Sequence, residues 1–321
     1  MVASLIVLIP AAVAGFAGAT VRRARLREER AEAESPPRGM LIKARGDFGA
    51  VTIHAEIAGE GPDLILIHGA SGNAREFTFR LTDRLKSRYR VIAFDRPGLG
   101  WSGDMGAAGN SPQGQVAALR AAAARLGVHR PVVLGQSYGG AVAMAWALAA
   151  PEEVAALVIV SGATHPWHGG LGLWYRLMRS WTGRNVVVPI VTAWAGRRRA
   201  KRVIEAIFAP QKMPRGYLDH IGIGLILRRE TLRINARQVN ALLRHVTDLA
   251  PRYARLKMPI EIVHGTADSI VPIGIHAERM VRQVPGANLT RLEGVGHMPH
   301  HTHPDEVIAA IHRASARAGT R

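Results

Sequence analysis

Gly135-Gln136-Ser137-Tyr138-Gly139 places a serine between two glycines. Where a G-x-S-x-G pattern joins a strand to a helix, the serine sits in a strained turn with its hydroxyl exposed, and the glycines let neighbouring backbone approach. A hydroxyl is a weak nucleophile near neutrality, so it needs a base, and the base needs a carboxylate to orient it. Two downstream segments supply these. Val263-His264-Gly265-Thr266-Ala267-Asp268 sets an acid just past an apolar run, and Leu292-Glu293-Gly294-Val295-Gly296-His297 sets an imidazole past another. The chain order Ser137, Asp268, His297 is the one expected when three groups meet at the C-terminal edge of one α/β sheet. The serine pattern alone is weak: 11 Ser and 34 Gly in 321 residues give about 0.1 chance matches, so the flanking elements must carry the reading.

Those elements follow from the hydropathy pattern. Short apolar, β-branched runs alternate with longer helical stretches, which predicts a mostly parallel sheet with helices on both faces. Leu41–Ala44 and Val51–Ile57 read as an opening antiparallel pair. Leu64–Ile67, Val91–Phe94, Pro131–Leu134, Val154–Val160, Ile260–Val263 and Asn288–Leu292 read as further strands. Helices are expected over Ala74–Ser87, over Ser111–Leu126 with Ser111 as N-cap and Pro112 first, over Ala141–Ala150, and near Ile275–Val284 and Pro304–Ala316. Residues 163–257 contain no convincing strand and read as a helical insertion. The expected organisation is a core of residues 41–162 and 258–321 with a helical cap at 163–257.

Four segments occur in order: His68-Gly69-Ala70-Ser71-Gly72 after a strand, Asp95-Arg96-Pro97-Gly98-Leu99-Gly100, the serine turn, and the Asp268 and His297 loops. With them the sequence resembles the α/β-hydrolase superfamily over roughly residues 46–316, at the level of a cap-containing, esterase- or lipase-like member with a serine nucleophile. The resemblance implies Ser137 as nucleophile, His297 as general base and then acid, and Asp268 as the holder of the imidazole tautomer. It also implies an oxyanion hole from the backbone N–H groups of Ala70 and Tyr138. Members with an aspartate nucleophile cleave haloalkanes and epoxides; a serine implies acyl transfer on an ester, thioester, lactone or amide. The alternatives are carbon–carbon bond hydrolysis or cofactor-free perhydrolysis on the same triad, and a non-catalytic binding protein on the same fold. The C–C hydrolases carry a Ser- and Gly-rich loop, which Ala70-Ser71-Gly72-Asn73 matches only in part.

Other residues have plainer readings. Asp268 could cap the following helix, but the other usual acid position, after the strand ending near Val160, holds Ser161-Gly162-Ala163 and no carboxylate. His300, His301 and His303 lie close to His297, yet loop histidines without a nearby carboxylate or Cys are a weak metal signal, and no metal or cofactor is expected. His68 reads as structural and Asp95 as a turn former. Trp167 and Trp174 are the candidate substrate-binding aromatics, and a lipophilic acyl substrate is expected.

The absence of Cys excludes a disulfide framework, Cys-ligated zinc, an iron–sulfur cluster and a cysteine nucleophile. The net charge is +18, with 37 Arg against 5 Lys, and residues 163–257 hold 18 basic and 4 acidic residues. Arg197-Arg198-Arg199-Ala200-Lys201-Arg202 reads as a solvated face or as a contact for anionic lipid, and nucleic acid is not expected as a partner. Val2–Thr20 is a 19-residue run without charge, about 28 Å long as a helix. Arginines follow it and none precedes it, which predicts a single-pass membrane anchor at residues 1–21 with a cytoplasmic catalytic domain. A charged linker over 22–40 completes that expectation. A signal peptide cleaved on export and a helix packed on the protein are the alternatives.

Overall fold

The computed structural model describes residues 2–170 and 172–320, with side chains from residue 10 onward. Eight strands form one sheet: β1 (Met40–Gly46), β2 (Gly49–Ala58), β3 (Asp63–Ile67), β4 (Arg90–Phe94), β5 (Val132–Gln136), β6 (Ala156–Val160), β7 (Ile260–Gly265) and β8 (Ala287–Leu292). Their order is β1-β2-β4-β3-β5-β6-β7-β8. The β1–β2 and β2–β4 pairs are antiparallel, and every later pair is parallel.

The central strands are apolar throughout because both faces are covered. Along β3, Ile65 and Ile67 enter one core, while Leu64 and Leu66 enter the other. The first core is closed by the helices Pro112–Arg125 and Tyr138–Ala149, the second by the C-terminal helix Pro304–Ala318. Ser111 caps its helix, its hydroxyl accepting the Gly114 N–H at 3.0 Å. The helix expected over Ala74–Ser87 is instead two short ones, Arg75–Thr78 and Leu81–Leu85.

The chain from β6 to β7 makes helices and no strand among the described residues. The longest, Arg229–Leu249, lays Val239, Leu242, Val246 and Leu249 on the first core. The insertion is thereby bound to the sheet domain by apolar burial along one helix face.

The N-terminus departs from expectation. Among the described residues no helix is long and apolar enough to cross a membrane. This overturns the transmembrane helix, the single-pass anchor and the localisation built on them. The helix observed is Val2–Glu34, which continues through the arginine- and glutamate-rich stretch read as a linker. Its charged half lies against the helical insertion. Arg23 and Arg27 donate to the Ala193 carbonyl, and Arg27 also to that of Ala195. Glu28 takes a bidentate pair from Arg229 at 2.7 and 2.9 Å, and Glu32 pairs with Arg228 at 3.0 Å. Thr20, Ala24 and Ala31 are buried against it. Beyond the helix, the Ser35 carbonyl accepts from the Trp101 indole and the Pro36 carbonyl from Arg75.

Candidate active site

Ser137 follows β5 and precedes the helix Tyr138–Ala149, with φ +52° and ψ −118°. That left-handed conformation is costly for a side-chain-bearing residue and is held by its neighbours. The Ser137 N–H donates to the Val160 carbonyl, and the Ser137 carbonyl accepts from Gly140 and Ala163, all at 3.0 Å. The glycine at 139 is obligatory by contact: a Cβ there would stand 2.1 Å from the Ile67 carbonyl oxygen. The elbow thus packs directly on the end of β3, beside the loop that carries Ala70.

Asp268 lies in the turn after β7 and His297 in the loop after β8, both buried. His297 Nδ1 stands 2.8 Å from Asp268 Oδ2, and His297 Nε2 stands 3.0 Å from Ser137 Oγ. With Nδ1–H donating to the carboxylate, Nε2 is left to accept the serine proton. The other Asp268 oxygen accepts the N–H groups of Ile270 and Val271, each at 2.9 Å. His264 Nε2, bonded to the Val271 carbonyl at 2.7 Å, also approaches Asp268 Oδ2 at 3.3 Å. Burial pushes the Asp268 carboxyl up, but the hydrogen bonds from His264 and His297 outweigh it and hold the group well below the usual carboxylate range. Asp268 is therefore an anion fixed on both oxygens.

The backbone N–H groups of Ala70 and Tyr138 find no acceptor among the described residues. Tyr138 is the first residue of its helix, so its N–H is free of intrahelical bonding. The Gly69–Ala70 peptide is pinned through its carbonyl, which accepts from His68 Nδ1 at 2.8 Å and from Arg96 Nη2 at 3.0 Å. Because a trans peptide is planar, fixing that carbonyl fixes the Ala70 N–H in the opposite direction. His68 Nε2 accepts from the Arg96 N–H at 3.0 Å, so its proton is on Nδ1. Burial, with Arg96 nearby, lowers its pKa from 6.5 to about 4, and the ring is neutral. His68 and Asp95 are both structural here. Asp95 accepts from His54, Ala74 N–H and Trp101 N–H at 2.6–2.7 Å.

Several contributors have no role assigned by the sequence motifs, Arg96 among them although it lies within one. Arg96 is fully buried without a carboxylate partner. It donates to Gln115, Gln238 and the Gly69 carbonyl, and its guanidinium lies 4.1 Å from the Tyr138 ring centre. Burial lowers its pKa to about 10, leaving it charged. Gln238 belongs to the insertion, as does Asn235 one turn earlier, which bonds Ser71. A visible signal for both is the placing of amides three residues apart on the apolar face of an amphipathic helix.

Trp167 is partly buried with its ring centre 6.1 Å from that of His276, and Trp174 is 45% exposed on the helix Leu173–Arg179. Glu76, His300 and His301 are the described residues whose ligand atoms converge as a metal would require, within 4.8 Å of one another. His301 Nε2 and Tyr217 OH donate to Glu76 Oε1 at 2.7 Å, and His300 Nε2 at 3.2 Å, while Nδ1 of both histidines is buried without a hydrogen-bond partner among the described residues.

A mostly parallel sheet with a serine elbow at the C-terminal end of its fifth strand and an acid and a histidine past the seventh and eighth defines an α/β hydrolase. The chain belongs to the alpha/beta hydrolase family, whose model matches residues 64–310. It is 28% identical over 269 residues to a pimeloyl-[acyl-carrier protein] methyl ester esterase of Aliivibrio salmonicida, covering 82% of this chain and 95% of the relative. It is 24% identical over 270 residues to a 2-hydroxy-6-oxononadienedioate/2-hydroxy-6-oxononatrienedioate hydrolase of Klebsiella pneumoniae, covering 83% and 91%. Among solved structures, a thermophilic esterase from Thermogutta terrifontis superposes with TM-score 0.70 at 21% identity, covering 88% of this chain and 99% of that one. That likeness concerns the fold alone. The protein is a hydrolase-class enzyme with esterases among its relatives.

Proposed function

We propose that the protein hydrolyses a carboxylic ester or related acyl bond through Ser137, His297 and Asp268, by way of an acyl-enzyme. The observation that carries this reading is the unbroken chain Asp268–His297–Ser137, at 2.8 and 3.0 Å, ending on a hydroxyl at a strained elbow. In the first half-reaction Ser137 Oγ attacks the carbonyl carbon as His297 Nε2 takes its proton. The negative charge that develops on the carbonyl oxygen is met by the N–H groups of Ala70 and Tyr138, a contribution of about 3 kcal/mol per donor in sites of this kind. His297 then gives the proton to the leaving alcohol. In the second half, water loses a proton to His297, attacks the acyl carbon, and Ser137 leaves as the hydroxyl. Asp268 stays ionised throughout and stabilises the imidazolium.

The substrate proposed is a small molecule with a lipophilic acyl group, for which Trp167 and Trp174 are the candidate contacts. The competing reading is carbon–carbon bond hydrolysis, supported by the 24% identical dienedioate hydrolase relative. Against it stands the loop Ala70-Ser71-Gly72-Asn73, which matches such enzymes only partly. The deciding experiment is turnover of a p-nitrophenyl ester series and of a vinylogous diketone by wild type and Ser137→Ala, with fluorophosphonate labelling alongside. Ester turnover and labelling of wild type only, with at least a 1,000-fold loss on substitution (on the order of the loss when a serine triad is broken), is expected. Turnover of the diketone alone favours the competing reading, and a wild type that neither labels nor turns over sinks both.

A further inference from the structure

Ser71, next to the proposed oxyanion donor Ala70, has φ +55°. It is not a glycine, so the left-handed region is sparsely populated for it in a free chain, and something must hold it there. The holder is not part of the sheet domain. Asn235, 5% exposed on the long helix of the insertion, accepts the Ser71 N–H through Oδ1 at 2.7 Å and donates through Nδ2 to Ser71 Oγ at 2.9 Å. The peptide before Ala70 is pinned by the core, through His68 and Arg96 on the Gly69 carbonyl. The peptide after it is pinned by the cap. One turn further on, Gln238 donates to the Pro97 carbonyl and accepts from Arg96. A single face of one cap helix therefore touches both supports of the Ala70 amide.

We propose that Asn235 is a positioning residue: carried by the cap, it holds Ser71 in its left-handed conformation and so aims the Ala70 N–H at the developing oxyanion. The inference rests on the acyl-transfer reading above and extends it, because it makes seating of the cap and assembly of the oxyanion site one event. A substrate that unseats the helix Arg229–Leu249 weakens the oxyanion site even though it never touches Ala70. The effect belongs to kcat and not to KM, since the donor matters most when charge develops.

The test is a cycle on the intact chain. Asn235→Ala is expected to lower kcat on a p-nitrophenyl ester and the rate of fluorophosphonate labelling together, by roughly 10- to 100-fold, with KM within about twofold. In the Ser71→Gly background, where the conformation carries no side-chain penalty, the same substitution is expected to cost less than about threefold. A purely structural role for Asn235 predicts equal losses in the two backgrounds, and that result overturns the proposal. An Asn235→Ala protein with wild-type kcat, or one altered only in KM, overturns it as well. Asn235→Ser, which keeps a polar group in the buried position, takes the place of Asn235→Ala should the latter not fold, with the same pair of values expected. A wild type that does not label removes the underlying reading and this inference with it. A labelling wild type with equal losses removes the inference alone.

Discussion

At the scale of single residues, the surroundings set the protonation states of Asp268, His68 and Arg96. Asp268 has one oxygen on two backbone N–H groups and the other on His297, which holds the carboxylate against rotation. His68 is neutral with its proton on Nδ1, and that tautomer ties the Gly69 carbonyl. Arg96 brings a buried positive charge close to the Tyr138 ring without a counter-ion, spreading its donors over two side-chain amides and one backbone carbonyl. The sharpest consequence concerns Asp268→Asn. An amide there can present its N–H to His297, which forces the proton onto Nε2 and leaves no acceptor for Ser137. We expect kcat to fall by about 10,000-fold with little change in KM. Steady-state kinetics on a p-nitrophenyl ester decides it, and a loss under tenfold speaks against the assigned tautomer.

At the scale of elements, three short pieces are joined at one oxygen atom. Glu76 stands on the helix Arg75–Thr78, His300 and His301 on the turn Pro299–Thr302 just after His297, and Tyr217 on the insertion helix Tyr217–His220. Burial pushes the Glu76 carboxyl up, but the hydrogen bonds from His300 and His301 dominate and hold it well below the usual range. A charged acceptor with three donors is worth more than a neutral one, and a poorly satisfied buried amide is costly. Glu76→Gln is therefore expected to destabilise the protein by about 3 kcal/mol, read as a drop in the urea midpoint, while fluorophosphonate labelling at low temperature persists. An unchanged midpoint would remove the hub from the stability account. Nothing in the sequence around Glu76 announces it, because its partners lie 141, 224 and 225 positions away. The elements themselves were legible for the opposite reason. The β3 and β5 runs are apolar on both faces, and the turn at Ser137 carries its own glycines. The N-terminal segment differs from its sequence reading because the 19 uncharged residues Val2–Thr20 and the arginines after them match a membrane span in length and charge alone, while the i,i+4 pairs Arg25–Glu29 and Arg30–Glu34 carry the helix on through the charged stretch. The face that matters, with Arg23, Arg27 and Glu28, meets groups 166 to 201 positions away. The triad spacing points to its loops, while the Asn235 and Gln238 amides on an apolar helix face signal a buried polar contact without naming Ser71, Arg96 or Pro97 as partners.

At the scale of the whole molecule, the buried histidines set how stability depends on pH. His68 and His300 have folded pKa values near 4, and His276 near 3, against 6.5 for an exposed imidazole. Burial is the first cause in each case, aided by neighbouring positive groups such as Arg96 beside His68 and His301 beside His300. The unfolded chain takes up a proton at each of the three as pH falls through 6.5, whereas the folded chain does so only near 4 or below. In that interval the unfolded state binds more protons, so stability rises with pH and is lost on acidification. Three such groups give a slope of at most about 4 kcal/mol per pH unit. Glu76 and Asp268 act in the same direction at still lower pH, because both carboxyls stay ionised in the fold below the range where they titrate in an open chain. Urea unfolding at fixed ionic strength should therefore give a plateau above pH 7 and a steep fall between pH 6 and pH 4.5, roughly the interval the shifted histidines define. Replacing His300 with Asn lowers stability on the plateau but takes about one proton out of the slope. A curve of unchanged steepness in that variant would falsify the assignment of His300 as a neutral, buried imidazole.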